Sequence, residues 1–148
     1  MPGYELINQE EKKALNKIFD QGSIFFAHGF DKVRKKYHVR EFEAKAAKKI
    51  GSKYSLAVTS GTSATLIALK ALGVKPGDEV ITQAFNFIAT VEAIIESGAK
   101  PIIVNVDQTY NMCPTELKKS ITKKTKAIIP VHMPVSYTHL TLPTKRIV

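Results

Sequence analysis

Small hydroxyl-bearing residues around one glycine are the first candidates for chemistry in this chain. Ser60, Gly61 and Thr62 interrupt an apolar run that starts at Leu56 and resumes at Ala64. The unpaired N–H groups and the dipole at a helix N-terminus favour a bound phosphate. Gly61 lets a phosphate approach the backbone closely, and the Thr62 hydroxyl adds a hydrogen-bond donor. The alternative is that Ser60 or Thr62 merely caps the helix, because small polar residues are common at that position.

Two phenylalanines, Phe85 and Phe87, are the second candidates. They follow a predicted strand at 79–82. A phosphate-binding turn and an aromatic loop together indicate a phosphorylated planar cofactor, with its phosphate on the helix N-terminus and its ring against one of the two phenylalanines. Packing in the core is the alternative for both, because phenylalanine is commonly buried.

The elements that position these residues alternate along the chain. Apolar runs predict strands at 56–58, 79–82, 101–106 and 126–131, and helical periodicity predicts helices at 64–72, 88–97 and 114–121. Strands that are apolar on both faces and alternate with helices indicate an α/β fold, with a mostly parallel sheet covered by helices on both faces. Ligands of open α/β sheets bind at the carboxyl ends of the strands. We therefore expect the segments 60–62, 83–87, 107–111 and 132–133 to gather at one edge of the sheet.

Two helices are predicted before the sheet. Asn8 and Glu11 form a capping-box pattern ahead of an amphipathic segment that ends at Gly22. A second amphipathic segment at 39–50 ends at Gly51, which we predict to be its C-cap. Residues 23–37 have no regular period and are predicted to form a loop.

Composition and charge limit the function classes. The chain is 44% hydrophobic and 24% charged, which is ordinary for a soluble domain. No apolar run reaches the roughly 20 residues that cross a bilayer, and no signal-peptide pattern is present, so we expect a cytoplasmic protein that binds no membrane. Cys113 lacks neighbouring ligands, so no metal site is predicted. The net charge of +9 favours an anionic partner, but lysine pairs spread over separate elements disfavour nucleic acid.

Four segments together resemble one protein family: 57–64, 71–82, 98–101 and 122–132. The chain is similar to the DegT/StrS family of pyridoxal-phosphate-dependent nucleotide-sugar aminotransferases, which have the aspartate-aminotransferase fold (fold type I). The resemblance runs from about residue 39 to Met133. It implies a partial cofactor-binding large domain at 39–134, preceded by a helix and loop segment at 1–38.

The resemblance also assigns site residues. It implies that Gly61 and Thr62 bind the phosphate of pyridoxal 5′-phosphate (PLP). It selects Phe87 as the ring that stacks on the cofactor, and leaves Phe85 as a core residue. The family's catalytic lysine, its aspartate for the pyridine nitrogen and a further phosphate-binding serine all follow the segment that matches 130–132. No residue of this sequence is therefore predicted to be catalytic.

The function implied by the resemblance is that of the intact enzyme. It would transfer an amino group from an amino-acid donor, usually glutamate in this family, to a nucleotide-linked keto sugar for cell-surface polysaccharide synthesis. Family members act as homodimers. A PLP-dependent sugar dehydratase of the same family, with histidine in place of the lysine, is the nearest alternative. A non-catalytic α/β module that binds phosphate or nucleic acid is the alternative from another class.

The last residues, 135–148, resemble no part of that family. They look like the in-frame translation of a transposon-end adapter used for short-read sequencing libraries, so we expect this tail to be non-native. Without its Lys145 and Arg146 the chain has 20 basic against 13 acidic residues, a net charge of +7. That balance suits a nucleotide diphosphate substrate.

Overall fold

The computed structural model of the protein describes residues 4–21, 29–33 and 36–132. The chain divides into two compact units, Met1–Ala57 and Val58–Val148. The predicted tail at 135–148 lies outside the described residues, as do 23–28 and 34–35 of the predicted loop. The division into segments 1–38, 39–134 and 135–148 stays a prediction.

The first unit contains a short 3-10 helix, Tyr4–Leu6, and the helices α1, Gln9–Asp20, and α2, His38–Ile50. Asn8 caps α1: its side chain accepts a hydrogen bond from the Glu10 N–H at 2.9 Å. The Glu11 carboxylate accepts one from the Asn8 N–H at 2.7 Å, which completes the predicted capping box. Gly51 ends α2 with a φ of 76°, so the predicted C-cap is also confirmed.

The strand predicted at 56–58 is wrong for this structure, because none of these three residues lies in a strand. Leu56 is 63% exposed, and the Ala57 N–H donates to the Glu43 carboxylate at 2.8 Å rather than to a neighbouring strand. An apolar run predicts burial, but a strand also requires a partner that completes its backbone hydrogen bonds. The described strands pair only with one another.

The second unit is an α/β structure. Its elements are α3, Gly61–Ala71; β1, Glu79–Gln83; α4, Ala89–Glu96; β2, Lys100–Val104; α5, Pro114–Ser120; and β3, Thr125–Ile129. The strand order is β2-β1-β3, and both pairings are parallel. The predicted alternation and parallel sheet are therefore confirmed for these strands.

Neighbouring residues of β1 contact opposite faces of the sheet. Val80 packs with Leu69 of α3 and Ile94 of α4. Ile81 packs on the other face, where the partly buried Leu117 of α5 also lies. Both β1 residues are completely buried, so the sheet has helices on both faces, as predicted.

Tight turns connect these layers. The Asp78 N–H donates to the Lys75 carbonyl at 3.1 Å, and Gly77 has a φ of 95°, so residues 75–78 form a turn before β1. Gly98, with a φ of 93°, follows α4, and a Cβ there would lie 3.0 Å from Cγ of Pro76. The turns before β1 and before β2 are therefore in contact.

Two features are absent from the described ranges. No helix in them is both long and apolar enough to span a bilayer. No cluster of three or more His, Cys, Asp or Glu side chains in them could hold a metal ion.

Candidate functional site

The N-terminus of α3 carries two backbone N–H groups without a partner. The Ser60 side chain caps the helix by accepting from the Ser63 N–H at 3.1 Å, and the Ser60 carbonyl accepts from the Ala64 N–H at 3.0 Å. Within the described part of the chain, the N–H groups of Gly61 and Thr62 make no hydrogen bond. Capping by Ser60, the alternative weighed above, is therefore present and still leaves two donors for an anion.

The space beside Gly61 is open. A Cβ built on this residue would have no atom within 4 Å. The Ser63 hydroxyl next to it lies 3.0 Å from the Ser60 hydroxyl and 3.2 Å from that of Thr59. Unpaired amides, a helix dipole and free space are what a phosphate group requires, so these residues fit the phosphate of a cofactor.

The two phenylalanines after β1 are both at the surface. Phe87 is 76% exposed, so its ring face is available to a ligand, and its role in stacking stays a prediction. Phe85 is 54% exposed, and its ring lies 5.4 Å from that of Tyr110 at an interplanar angle of 47°. The expectation that Phe85 is a core residue is wrong, because β1 ends at Gln83 and the chain leaves the sheet before Phe85.

Gln83 joins the segments that follow all three strands. Its side-chain amide donates to the carbonyls of Phe85 at 3.2 Å and Tyr110 at 3.1 Å. Its side-chain oxygen accepts from the Val131 N–H at 3.0 Å. The expectation that the segments after the strands meet at one edge is therefore confirmed for 83–87 and 107–111. After β3 the contact is to Val131, directly before the predicted segment 132–133, of which Met133 lies outside the described residues. The place of Gly61 and Thr62 relative to this edge stays a prediction.

Sequence reasoning included Gln83 in a segment at this edge but missed its role. The available signal was a long polar side chain at the end of a strand predicted to be buried on both faces. Thr82 is a second polar residue near the end of this strand, and its hydroxyl donates to the Ile129 carbonyl at 3.0 Å. Both side chains are buried, with 0% of Thr82 and 1% of Gln83 exposed.

The loop after β2 has its own polar structure. The Asp107 carboxylate accepts from the hydroxyl and from the N–H of Thr109, the latter at 2.8 Å. These hydrogen bonds hold the pKa of Asp107 below its ordinary value, and the bond from the Thr109 hydroxyl contributes most. Tyr110 has a φ of 61°, a left-handed conformation that is uncommon outside glycine. The Tyr110 carbonyl of this loop is the one that accepts from Gln83.

Residues 7–135 match the DegT/DnrJ/EryC1/StrS aminotransferase family. The chain belongs to this family. A relative from Acidithiobacillus ferrooxidans, UDP-N-acetyl-3-dehydro-alpha-D-glucosamine 3-aminotransferase, is 46% identical over 128 residues, which are 86% of this chain and 32% of that protein.

Solved structures of similar proteins have the same fold. The crystal structure of 3-amino-5-hydroxybenzoic acid synthase matches with a TM-score of 0.76 at 38% identity, over 86% of this chain and 32% of that one. GDP-4-keto-6-deoxymannose-3-dehydratase, solved with a trapped PLP-glutamate geminal diamine, matches with a TM-score of 0.71 at 30% identity, over 84% and 32%. The expected fold, part of the large domain of fold type I enzymes, is thus confirmed. The chain spans about a third of the length of these proteins.

Proposed function

We propose that this chain is part of a PLP-dependent aminotransferase that converts a nucleotide-linked keto sugar into an amino sugar, with an amino acid as the amino donor. The observation that supports it best is the N-terminus of α3, where Gly61 and Thr62 offer unpaired amides to open space. Membership of the DegT/DnrJ/EryC1/StrS family identifies PLP as the phosphate-bearing ligand for this anion site. The UDP-linked substrate in the name of the Acidithiobacillus relative supports the substrate class.

Three residues of this chain would hold the cofactor. The amides of Gly61 and Thr62 and the positive end of the α3 dipole would bind its phosphate, and the exposed Phe87 would offer its ring face to the pyridine. When bound, PLP supplies an electron sink for the transfer of the amino group. The protein's own part in this region is to bind and orient the cofactor.

The activity is assigned to the whole protein, because this chain spans about a third of its relatives. By the family resemblance, the lysine and the aspartate of the catalytic machinery follow the segment that matches 130–132. We therefore expect the 148-residue chain to bind the cofactor phosphate without transferring an amino group. The homodimer and the cytoplasmic location stay predictions. The family match ends at residue 135, which supports a non-native tail at 135–148.

A sugar dehydratase is the second candidate, favoured by the similarity to a solved dehydratase at 30% identity. The two activities differ in the residue at the family's lysine position. The genomic DNA beyond codon 133 would separate them: a lysine codon supports the aminotransferase, and a histidine codon supports the dehydratase. A non-catalytic phosphate-binding module would show no PLP absorbance in the whole protein.

The phosphate site is tested by titrating the chain with pyridoxamine 5′-phosphate in a calorimeter. This probe has no aldehyde, so it does not react with the surface lysines. We expect one binding site, which Gly61→Asp abolishes by placing a carboxylate where the phosphate lies. The same substitution should not lower the stability of the folded chain, because an acidic residue in the first turn complements the helix dipole.

The matched control is Thr115→Asp, which adds the same charge to the first turn of α5. It should leave the affinity within about twofold of the original, because α5 lies outside the proposed site. Equal losses in the two variants would show that only net charge matters. The absence of saturable binding to the unsubstituted chain would contradict the proposed cofactor site.

A further inference from the structure

Gln83 is a buried carboxamide whose hydrogen-bonding groups are all engaged. Only 1% of the residue is exposed. Its two N–H donors bind two loop carbonyls, those of Phe85 and Tyr110, and its oxygen binds the Val131 N–H. A buried polar group is stable only when it is paired in this way, so the three segments are held in fixed positions relative to β1.

The loop that contains Phe87 depends on this residue. Residues 84–88 form neither helix nor strand, so side-chain contacts fix much of their path. The Gln83 side chain binds the carbonyl of Phe85, two residues before Phe87. The Asn86 side-chain amide donates to the Gln83 carbonyl and lies 3.4 Å from the Thr82 hydroxyl. Both ends of the turn that leads to Phe87 are therefore tied to β1.

The loop after β2 is held by the same side chain. Its Tyr110 carbonyl accepts from Gln83, while the Tyr110 ring packs against that of Phe85. An apolar residue at position 83 would leave two partly buried carbonyls and one partly buried N–H without their partner. Such groups are costly, so the loops would move to reach water.

We propose that Gln83 is a positioning residue for the planar ligand: it fixes the loop that presents Phe87 and joins it to the loop after β2. The proposal rests on the proposed cofactor site. Gln83 does not itself contact the phosphate-binding turn by any hydrogen bond in the described part of the chain. Its loss should therefore affect ring binding and spare phosphate binding.

Two probes separate these effects in the variant Gln83→Met, which keeps a similar volume and removes both donors and the acceptor. Affinity for pyridoxamine 5′-phosphate should fall by up to about fivefold, the most that loss of Phe87 stacking can cost, while affinity for inorganic phosphate should change less than about twofold. Val80→Ala is the matched control: it creates a cavity in the apolar core near the start of the same strand without removing a hydrogen bond to the loops, and should leave both affinities within about twofold. An equal loss for the two probes would overturn the proposal.

A double-mutant cycle with Phe87→Ala tests whether Gln83 acts through that ring. In the Phe87→Ala background, Gln83→Met should cost less than about twofold in further affinity. A loss in this background as large as that in the original chain would overturn the positioning role. If Gln83→Met does not fold, Gln83→Glu takes its place, because it keeps the shape and the acceptor for Val131 but lacks the amide donors.

Hydrogen exchange tests whether Gln83 fixes the loops without depending on the proposed cofactor site. In Gln83→Met, the amides of Val131, Tyr110 and Asp107 should exchange at least about 10-fold faster than in Val80→Ala. If the unsubstituted chain does not bind pyridoxamine 5′-phosphate, the cofactor site fails while faster exchange still supports Gln83 as the residue that fixes the loops. Unchanged exchange at all three amides would overturn it, whatever the binding result.

Discussion

Gly61 is the first residue of α3, and its lack of a side chain has opposite consequences for folding and for binding. Glycine is a poor helix former, and no neighbouring atom requires it here, since its Cβ position is open. The same open space is where a phosphate would approach the amides of Gly61 and Thr62. A residue that is suboptimal for the helix but suited to a ligand is typical of a binding site.

Gly61→Ala should therefore stabilise the chain and weaken the site. We expect the free energy of unfolding to rise by up to about 1 kcal/mol, because alanine is a better helix former and restricts the unfolded chain. Phosphate affinity should fall about 10-fold as the methyl group occupies the space of the ligand. Urea unfolding and phosphate titration measure the two quantities. Gly73→Ala, at a φ of 73°, should instead destabilise the chain, and a destabilised Gly61→Ala would contradict this account.

Phe87→Ala should weaken binding of the cofactor ring without lowering the melting temperature. The ring is 76% exposed, so folding gains little from it, whereas stacking contributes on the order of 1 kcal/mol, or about fivefold in affinity. Calorimetry with pyridoxamine 5′-phosphate and thermal unfolding measure the two effects. Phe85→Ala is the comparison. It removes the packing against Tyr110, so it should lower the melting temperature more than it lowers the affinity for the cofactor ring. If only Phe85→Ala lost affinity, the two roles would be exchanged.

At the scale of elements, local sequence patterns correctly predicted the features that depend only on residues adjacent in the chain. The capping box at Asn8 and the C-cap at Gly51 were both predicted and are both present, because each depends on a few adjacent residues. The strand at 56–58 was wrong, because pairing depends on distant residues. The Gln83 network was missed for the same reason: its partners lie up to 48 residues away.

The loop after β2 gives a pH-dependent prediction. Hydrogen bonds from Thr109 lower the pKa of Asp107, so its ionised form is bound better in the folded state. The stabilisation is therefore present above the ordinary carboxyl pKa and is lost as the pH falls through the lowered value. Asp107→Asn should lower the urea midpoint at pH 7, and the difference from the original chain should narrow as the pH falls below about 4.

Thr109→Val provides the control for this loop. It removes the hydroxyl donor that contributes most to the lowered pKa. In that background the pH-dependent effect of Asp107→Asn should shrink. A difference between the variants that stays constant from pH 7 to low pH would show that the Asp107 charge does not stabilise the loop.

At the scale of the whole molecule, apolar surface remains open beside β3. A groove of about 440 Å³ lies between α3 and β3, and its lining is almost entirely apolar, from Ala64 to Leu72 on the helix and from Ala127 to Pro130 on the strand. Among the described strands, β3 pairs only with β1, so its other side offers unpaired backbone groups. Sheet edges of this kind promote association between chains.

The 148-residue chain should accordingly self-associate in a concentration-dependent manner through the β3 side of its sheet. Ile128, which is 41% exposed and lines the groove, is the residue to change. Ile128→Lys should lower the sedimentation coefficient toward that of a monomer, because a charge on an edge strand must be desolvated when another strand pairs with it. The matched control is Ile103→Lys, at 49% exposure on β2, the strand on the opposite side of the sheet, because Ile103 does not line the groove beside β3. Equal effects of the two lysines would show that general charge repulsion, rather than the apolar groove beside β3, controls association.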